Sequence, residues 1–276
     1  MLKQWLSKTS TYVLLALFAF VSVYPVTRIV TISLRPNDQL LSTSLAFIPE
    51  GATFNNYIEL LTETPFLRWL MNSFLVSLVV TVTGVVLAST AGYALSRHKF
   101  MGRKSMLSGL LVTQMFPATM LLLPLYVMLI ELHLLNSYLG IIIIYTATAL
   151  PFTVWQMKGY YDTIPIALEE AARIDGCTPW QAFYRVILPL AAPALVITAL
   201  FSFMTAWNEY VVANVVLQDS DMFTLPLGLK LFQSTLTTQW GLYAAGSLLV
   251  SIPVVVLFLV LSRFLISGLT LGAVKG

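Results

Sequence analysis

Apolar residues run through this chain in long blocks separated by short polar segments. A bilayer core of roughly 30 Å is crossed by about 20 consecutive apolar helical residues, because backbone groups in lipid must be satisfied within the segment. Six blocks reach that length, at 12–34, 70–95, 105–130, 138–157, 190–212 and 242–266. The pattern therefore predicts an all-α membrane protein with six transmembrane helices. The first block follows Lys3 and Lys8, but it is too long for a signal peptide and no small-x-small cleavage site follows it, so a retained helix is expected. Pro117 and Pro124 in the third block and Pro253 in the sixth are expected to bend their helices.

Composition agrees with the blocks. Of 276 residues, 58% are hydrophobic and only 10% charged, too few charges to solvate a globular surface of this size. The net charge of +3, from 15 Lys and Arg against 12 Asp and Glu, gives no support to a nucleic-acid partner. Position matters more than the sum. Lys3, Lys8, Arg97, Lys99, Arg103, Lys104, Lys158, Arg173, Arg185, Arg263 and Lys275 fall on the side of the N-terminus, against Arg35, Arg68 and Lys230 on the other. The positive-inside rule then makes both termini cytoplasmic. One cysteine, Cys177, and two scattered histidines, His98 and His133, leave no basis for a disulfide or a Cys-based zinc site, and no cofactor or metal is expected on this chain.

The connecting segments are unequal. On the outer side, 35–68 holds an amphipathic stretch at 55–61 before Thr64-Pro65, and 213–241 carries Asp219-Ser220-Asp221 followed by the apolar run 225–229. Neither has the length of a catalytic domain, and no internal repeat is present, so a single membrane domain over 1–276 is expected. Its appendages are a cytoplasmic loop at about 158–189 and a cytoplasmic tail at about 267–276.

The loop at 158–189 spells out two short helices. Pro165 suits a first turn, Glu169 and Glu170 lie where the helix dipole favours anions, and Gly176 follows the periodic run where a left-handed residue is wanted. Thr178-Pro179-Trp180-Gln181 restarts a helix as N-cap, first position and capping-box partner, and Pro189 is expected to end it. Glu169 and Arg173 are spaced to pair, and Ala171-Ala172 offers a smooth patch to a partner protein. From the residues alone two readings stay open: a docking element, or an interfacial loop packed on its own bundle.

Glu170-Ala171-Ala172, three residues, Gly176, nine residues, Val186, one residue, Leu188-Pro189 resembles the signature loop of ABC importer permeases, with Val186 in place of the usual Ile. With six spans, Trp207-Asn208-Glu209 near the end of the fifth and the terminal run from Gly268 to Gly276, the whole chain is similar to the MalG-like permease subunits of maltose-type carbohydrate importers. The resemblance implies the type I importer permease fold, in a bacterial or archaeal cytoplasmic membrane. It also implies a homologous MalF-like second permease, two copies of an ABC ATPase that carry the ATP and Mg, and an extracytoplasmic sugar-binding protein reaching toward 213–241. By the same resemblance Glu170, Ala171, Ala172, Arg173, Asp175, Gly176, Leu188 and Pro189 would couple to the ATPase. Leu271, Gly272 and Lys275 in the tail would contact it.

Polar groups within spans are candidates for a solute path, since a charge at the bilayer centre costs about 2.5 to 3.5 kcal/mol. Arg28 and Glu209 are the charges there; Arg28 pairs with a neighbouring helix, or lies near an interface, or has a role of its own. Trp207, Asn208, Glu209, Asn72 and Asn214 are the path candidates, with Glu209 open also to a role in gating or in contact with the partner permease. No His-Glu-x-x-His, Gly-x-Ser-x-Gly or Gly-x4-Gly-Lys-Ser/Thr pattern occurs, so the chain is expected to be no enzyme itself. A secondary transporter and an importer permease for another solute class remain alternatives.

Overall fold

The computed structural model describes residues 2–36, 46, 48–233 and 238–273, and of residues 2–8, 118 and 263–273 the backbone alone. The apolar blocks become helices, the only open-chain form that satisfies its own backbone in lipid. In order they are α1 Leu2–Ser33, α2 Asn55–Thr62, α3 Phe66–Arg97, α4 Arg103–Thr113, α5 Leu122–Glu131, α6 Tyr138–Tyr161, α7 Ala167–Ile174, α8 Pro179–Leu190, α9 Ala192–Trp207, α10 Val211–Val216, α11 Leu225–Lys230 and α12 Trp240–Ala273. Among the described residues no strand forms beyond one bridge between Gln233 and Thr238. Among the described residues four helices, α1, α3, α6 and α12, are long and apolar enough to cross a membrane unbroken, and the pair α8–α9, bent by 78°, passes the same test only when taken together.

The third apolar block is not one helix. α4 stops at Thr113, whose carbonyl lies four residues before Pro117, in the place where the proline ring would strike it. One 3₁₀ turn, Ala118–Leu121, then leads into α5. Gln114 ties this break to α6 by donating from Nε2 to the Thr148 carbonyl at 3.0 Å. Pro124 sits in the first turn of α5, where its missing N–H has no intrahelical partner to lose. Pro253 lies within the continuous α12. The fifth block, expected over 190–212, is also divided, since α9 closes at Trp207 and α10 opens at Val211.

Two compact units divide the chain: Met1–Leu67 with Gly228–Ile252, and Arg68–Leu227 with Pro253–Gly276. In the first, α2 is the expected amphipathic helix and buries Leu60. Asn56 on α2 donates to the carbonyls of Ser33 at 2.9 Å and Arg35 at 3.0 Å, satisfying the end of α1. Gly241 approaches so closely that a Cβ there would lie 2.6 Å from the Asn56 side chain. The apolar side chains of α1 from Tyr12 to Val26 face outward, Phe18 at 77% exposure, and Arg28 makes no ion pair among the described residues.

In the second unit, α3, α6 and α9 carry two apolar clusters together with residues of α8 and α10. Val76, Val80, Ile141, Tyr145, Ala206 and Val216 form one; Ala88, Leu95, Met157, Phe183, Ile187 and Ala194 form the other. Small residues set the helix spacing, as in membrane bundles generally. A Cβ on Gly84 would lie 2.9 Å from Ser202 Oγ, and one on Gly92 would lie 2.8 Å from Met157 Cβ and 3.0 Å from the Lys158 backbone nitrogen. Gly92→Val should therefore push α3 off α6 and cost about 1–3 kcal/mol. Thermal unfolding in detergent should show a lower midpoint, and an unchanged midpoint would refute the close packing at this crossing.

Candidate functional site

Residues 158–189 fold into the two short helices their caps predict. Glu169 and Glu170 occupy the first turn of α7 and Arg173 its last, each on the side the dipole favours. The helix closes with paired bonds, Cys177 N–H to the Ala172 carbonyl at 2.9 Å and Gly176 N–H to the Arg173 carbonyl at 3.1 Å. Gly176 sits at φ +90°, a conformation that side chains with a Cβ rarely adopt. Thr178 then caps α8: its Oγ1 accepts from the Gln181 N–H at 3.2 Å, and Gln181 Oε1 accepts from the Thr178 N–H at 2.8 Å.

Past its first turn α8 widens into a π turn, Phe183–Ile187, and continues through Leu188 and Pro189 to Leu190. Pro189 does not end it. The wide turn precedes the proline, whose ring would otherwise meet the Arg185 carbonyl, and the chain bends only at Ala191, where α9 departs at 78°.

Glu170, Ala171, Arg173, Ile174, Asp175 and Gly176 are exposed, Ile174 at 86%, and Trp180 on α8 follows at 61%. Ala172 is not part of this surface. It is 7% exposed and shares the inner face of α7 with Glu169, three residues earlier. The expected two-alanine patch is thus one alanine, framed by exposed charges and the apolar Ile174.

Glu169 turns away from Arg173, its expected partner. Its carboxylate pairs with Arg97 at the end of α3, the two side chains only 11% and 7% exposed, and accepts from the Tyr93 hydroxyl at 2.8 Å. The other guanidinium nitrogens donate to the carbonyls of Tyr161 and Ile164, both at 2.9 Å, and to Ser96 Oγ at 3.1 Å. The Tyr93 ring packs on Phe183 of α8 with centroids 4.4 Å apart. Beside this cluster, Asp162 accepts from Ser96 Oγ at 2.7 Å and from Lys158 Nζ at 2.5 Å. Burial works against its charge, but those two bonds and the Lys158 charge hold its carboxyl below the ordinary carboxylate range. Helix spacing reveals only partners within one helix, so Tyr93 and Arg97 escaped it. Their one trace in the sequence is an arginine closing an apolar run.

The expected path residues separate. Trp207 is buried to 1% and stacks on Phe203, unavailable to a solute in this conformation. Glu209 acts as a cap: its carboxylate accepts from the N–H groups of Val212 at 2.9 Å and Ala213 at 3.1 Å and from the Tyr145 hydroxyl at 2.9 Å. Asn72 donates to the carbonyls of Asp221 and Phe223, both at 2.9 Å, pinning the outer segment to α3 together with Trp69, which donates to the Ser220 carbonyl at 2.8 Å. Asn208 and Asn214 are exposed. In the tail, Leu271 and Gly272 continue the backbone of α12, while Lys275 lies outside the described residues. Glu209→Ala should leave the α10 N–H groups and the Tyr145 hydroxyl without an acceptor, costing about 1–3 kcal/mol. Denaturation in detergent should register the loss, and full stability would disprove the cap.

Residues 81–267 match the family described as binding-protein-dependent transport system inner membrane component. Among curated proteins, the chain is similar to the diacetylchitobiose uptake system permease protein of Streptomyces coelicolor, 37% identical over 92% of both chains. It is 36% identical to the arabinooligosaccharides transport system permease protein of Halalkalibacterium halodurans, over 95% of this chain and 94% of the other. It is also 36% identical to the maltose/maltodextrin transport system permease protein of Escherichia coli K12, over 96% and 95%. Among solved structures, a chain of a bacterial ABC transporter involved in the import of the acidic polysaccharide alginate matches with a TM-score of 0.81 at 25% identity, covering 94% of this chain and 96% of that one.

Proposed function

We infer function from kinship: the chain belongs to the family of binding-protein-dependent transport system inner membrane components, and we propose that it is the permease subunit of an ATP-driven sugar importer. It is a multi-pass protein of the cytoplasmic membrane. The sugar assignment is supported by the oligosaccharide names of the relatives, and the spread among diacetylchitobiose, arabinooligosaccharides and maltodextrin keeps it at that class. In this proposal the whole chain acts as one permease domain beside a homologous second permease, above two ATPase subunits that bind ATP and Mg, and below an extracytoplasmic binding protein.

Taking α9 and the broken α4–α5 as crossings makes six, and the excess of Lys and Arg on one side supports cytoplasmic termini. The observation that carries the coupling role is the α7–α8 element. A capped helix pair exposes Ile174 and Trp180 at 86% and 61% beside Glu170, Arg173 and Asp175, a mixed apolar and charged surface suited to a protein partner. Glu170, Ala171, Arg173, Asp175 and Gly176 would meet the ATPase, with Ala172 supporting them from beneath and Leu188 and Pro189 leading into α9. The tail at Leu271, Gly272 and Lys275 would reach the same subunits. Trp207, Asn208, Glu209, Asn72 and Asn214 then border the path, with Asn208 and Asn214 the exposed ones among them.

Co-purification in mild detergent should bring down a stoichiometric ATPase, and its absence would overturn the proposal. Gly176→Pro demands a φ near −65° where the chain needs +90°, and Glu170→Lys reverses a charge on the exposed face. Each should abolish ATP hydrolysis stimulated by binding protein and sugar. Full stimulation in either would exclude the coupling role.

A further inference from the structure

We propose that Arg97 is the positioning residue through which the α7–α8 element moves the membrane helices, by way of α3 and α6 rather than through the covalent junction at Pro189. The inference rests on the permease reading above and adds the route of transmission.

The covalent route is poorly suited to carrying a push. Between the exposed surface of α7 and the span α9 lie the Gly176 turn at φ +90°, a π turn at Phe183–Ile187 and a 78° bend at Ala191. Each interrupts the regular backbone ladder that makes a helix stiff. α7 is instead joined to the bundle by a side-chain connection that crosses three segments. Arg97 closes α3; its guanidinium binds Glu169 of α7 and also the carbonyls of Tyr161, at the end of α6, and Ile164, in the connection between α6 and α7. A planar guanidinium spreads its donors over three nitrogens in a rigid fork and so reaches all of these acceptors, whereas an ammonium group offers three donors from a single point. Tyr93 closes the other side, donating to Glu169 while its ring packs on Phe183 of α8. Ser96 adds a second tie, from α3 to Asp162 just past α6.

Burial makes this connection stiff. With the two side chains only 7% and 11% exposed, separating them would strand charges away from water, so displacement of α7 carries α3 and α6 with it in preference to breaking the pair. The inner face of α7 is therefore the transmitting face, and its outer face the receiving one. Glu169 and Glu170, adjacent in sequence, serve opposite sides of one helix.

The test uses the full importer complex reconstituted in lipid, with Arg97→Lys, Glu169→Gln and the double variant. Arg97→Lys keeps the charge and loses the fork; Glu169→Gln keeps the shape and loses the charge. Each single variant should retain the ATPase through purification yet lower the hydrolysis stimulated by binding protein and sugar about tenfold, the scale of a typical coupling between sites. The double variant should lose little more than either single one, because both break the same connection. Three outcomes overturn the proposal: stimulation unchanged in the single variants, additive losses in the double variant, or loss of the ATPase or of the folded chain, which would make the pair structural only. A wild-type complex without an ATPase would instead overturn the permease reading itself, and the proposal with it.

Discussion

A backbone amide or carbonyl in lipid has no water to fall back on, and the rest of this structure follows from that constraint. Where a helix runs unbroken the ladder satisfies all but the end groups and the carbonyls opposite an internal proline. Where it breaks, a polar side chain is brought in from elsewhere. Gln114 secures the end of α4 on α6 after Pro117 interrupts the third block. Asn56 binds the carbonyls left at the end of α1, and Glu209 caps α10 after α9 stops. Asn136, itself at φ +51°, accepts from the N–H groups of Gln218 and Asp219 where the outer segment turns back. Polar residues that look like candidates for solute contact are in large part committed to mending the backbone.

Arg97 is the fullest case. It satisfies two carbonyls where α6 gives way to α7, and its Nε donates to the carboxylate of Glu169. An arginine placed for backbone repair thereby ties a short helix to two long ones. Mechanical linkage and hydrogen-bond accounting are the same interaction at this point, so a helix of eight residues, too short to be stable alone, keeps one orientation on the bundle.

The spans and the helix pair were legible because their causes are local. Apolar length predicts α1, α3, α6 and α12, and the caps at Gly176 and Thr178 are chosen by residues one to three positions away. Pro117 was visible as a bend, but that it divides the helix shows only in the structure, where the Gln114 side chain just past the end of α4 is held by the Thr148 carbonyl of another helix. The Glu169–Arg173 pairing failed for the same reason. Spacing of four brings those residues near each other, yet Arg97 and Tyr93 offer a buried site with more partners, and a carboxylate is stabilised more by several aligned donors than by one exposed cation.

By itself the sequence determined a helical membrane protein, the family to which it belongs, and a capped helix pair with its signature from Glu170 to Pro189. These rest on hydrophobic length, on caps within one turn and on a fixed spacing, all properties of neighbours along the chain. Only the tertiary structure decided which face of α7 is turned outward, that Trp207 is buried and Glu209 caps a helix, and that Arg97 holds the helix pair. Those outcomes depend on groups more than sixty residues apart in sequence, such as Tyr145 with Glu209 and Arg97 with Glu169, competing for the same unsatisfied donors and acceptors. That competition is settled by packing, which spacing along one chain does not encode.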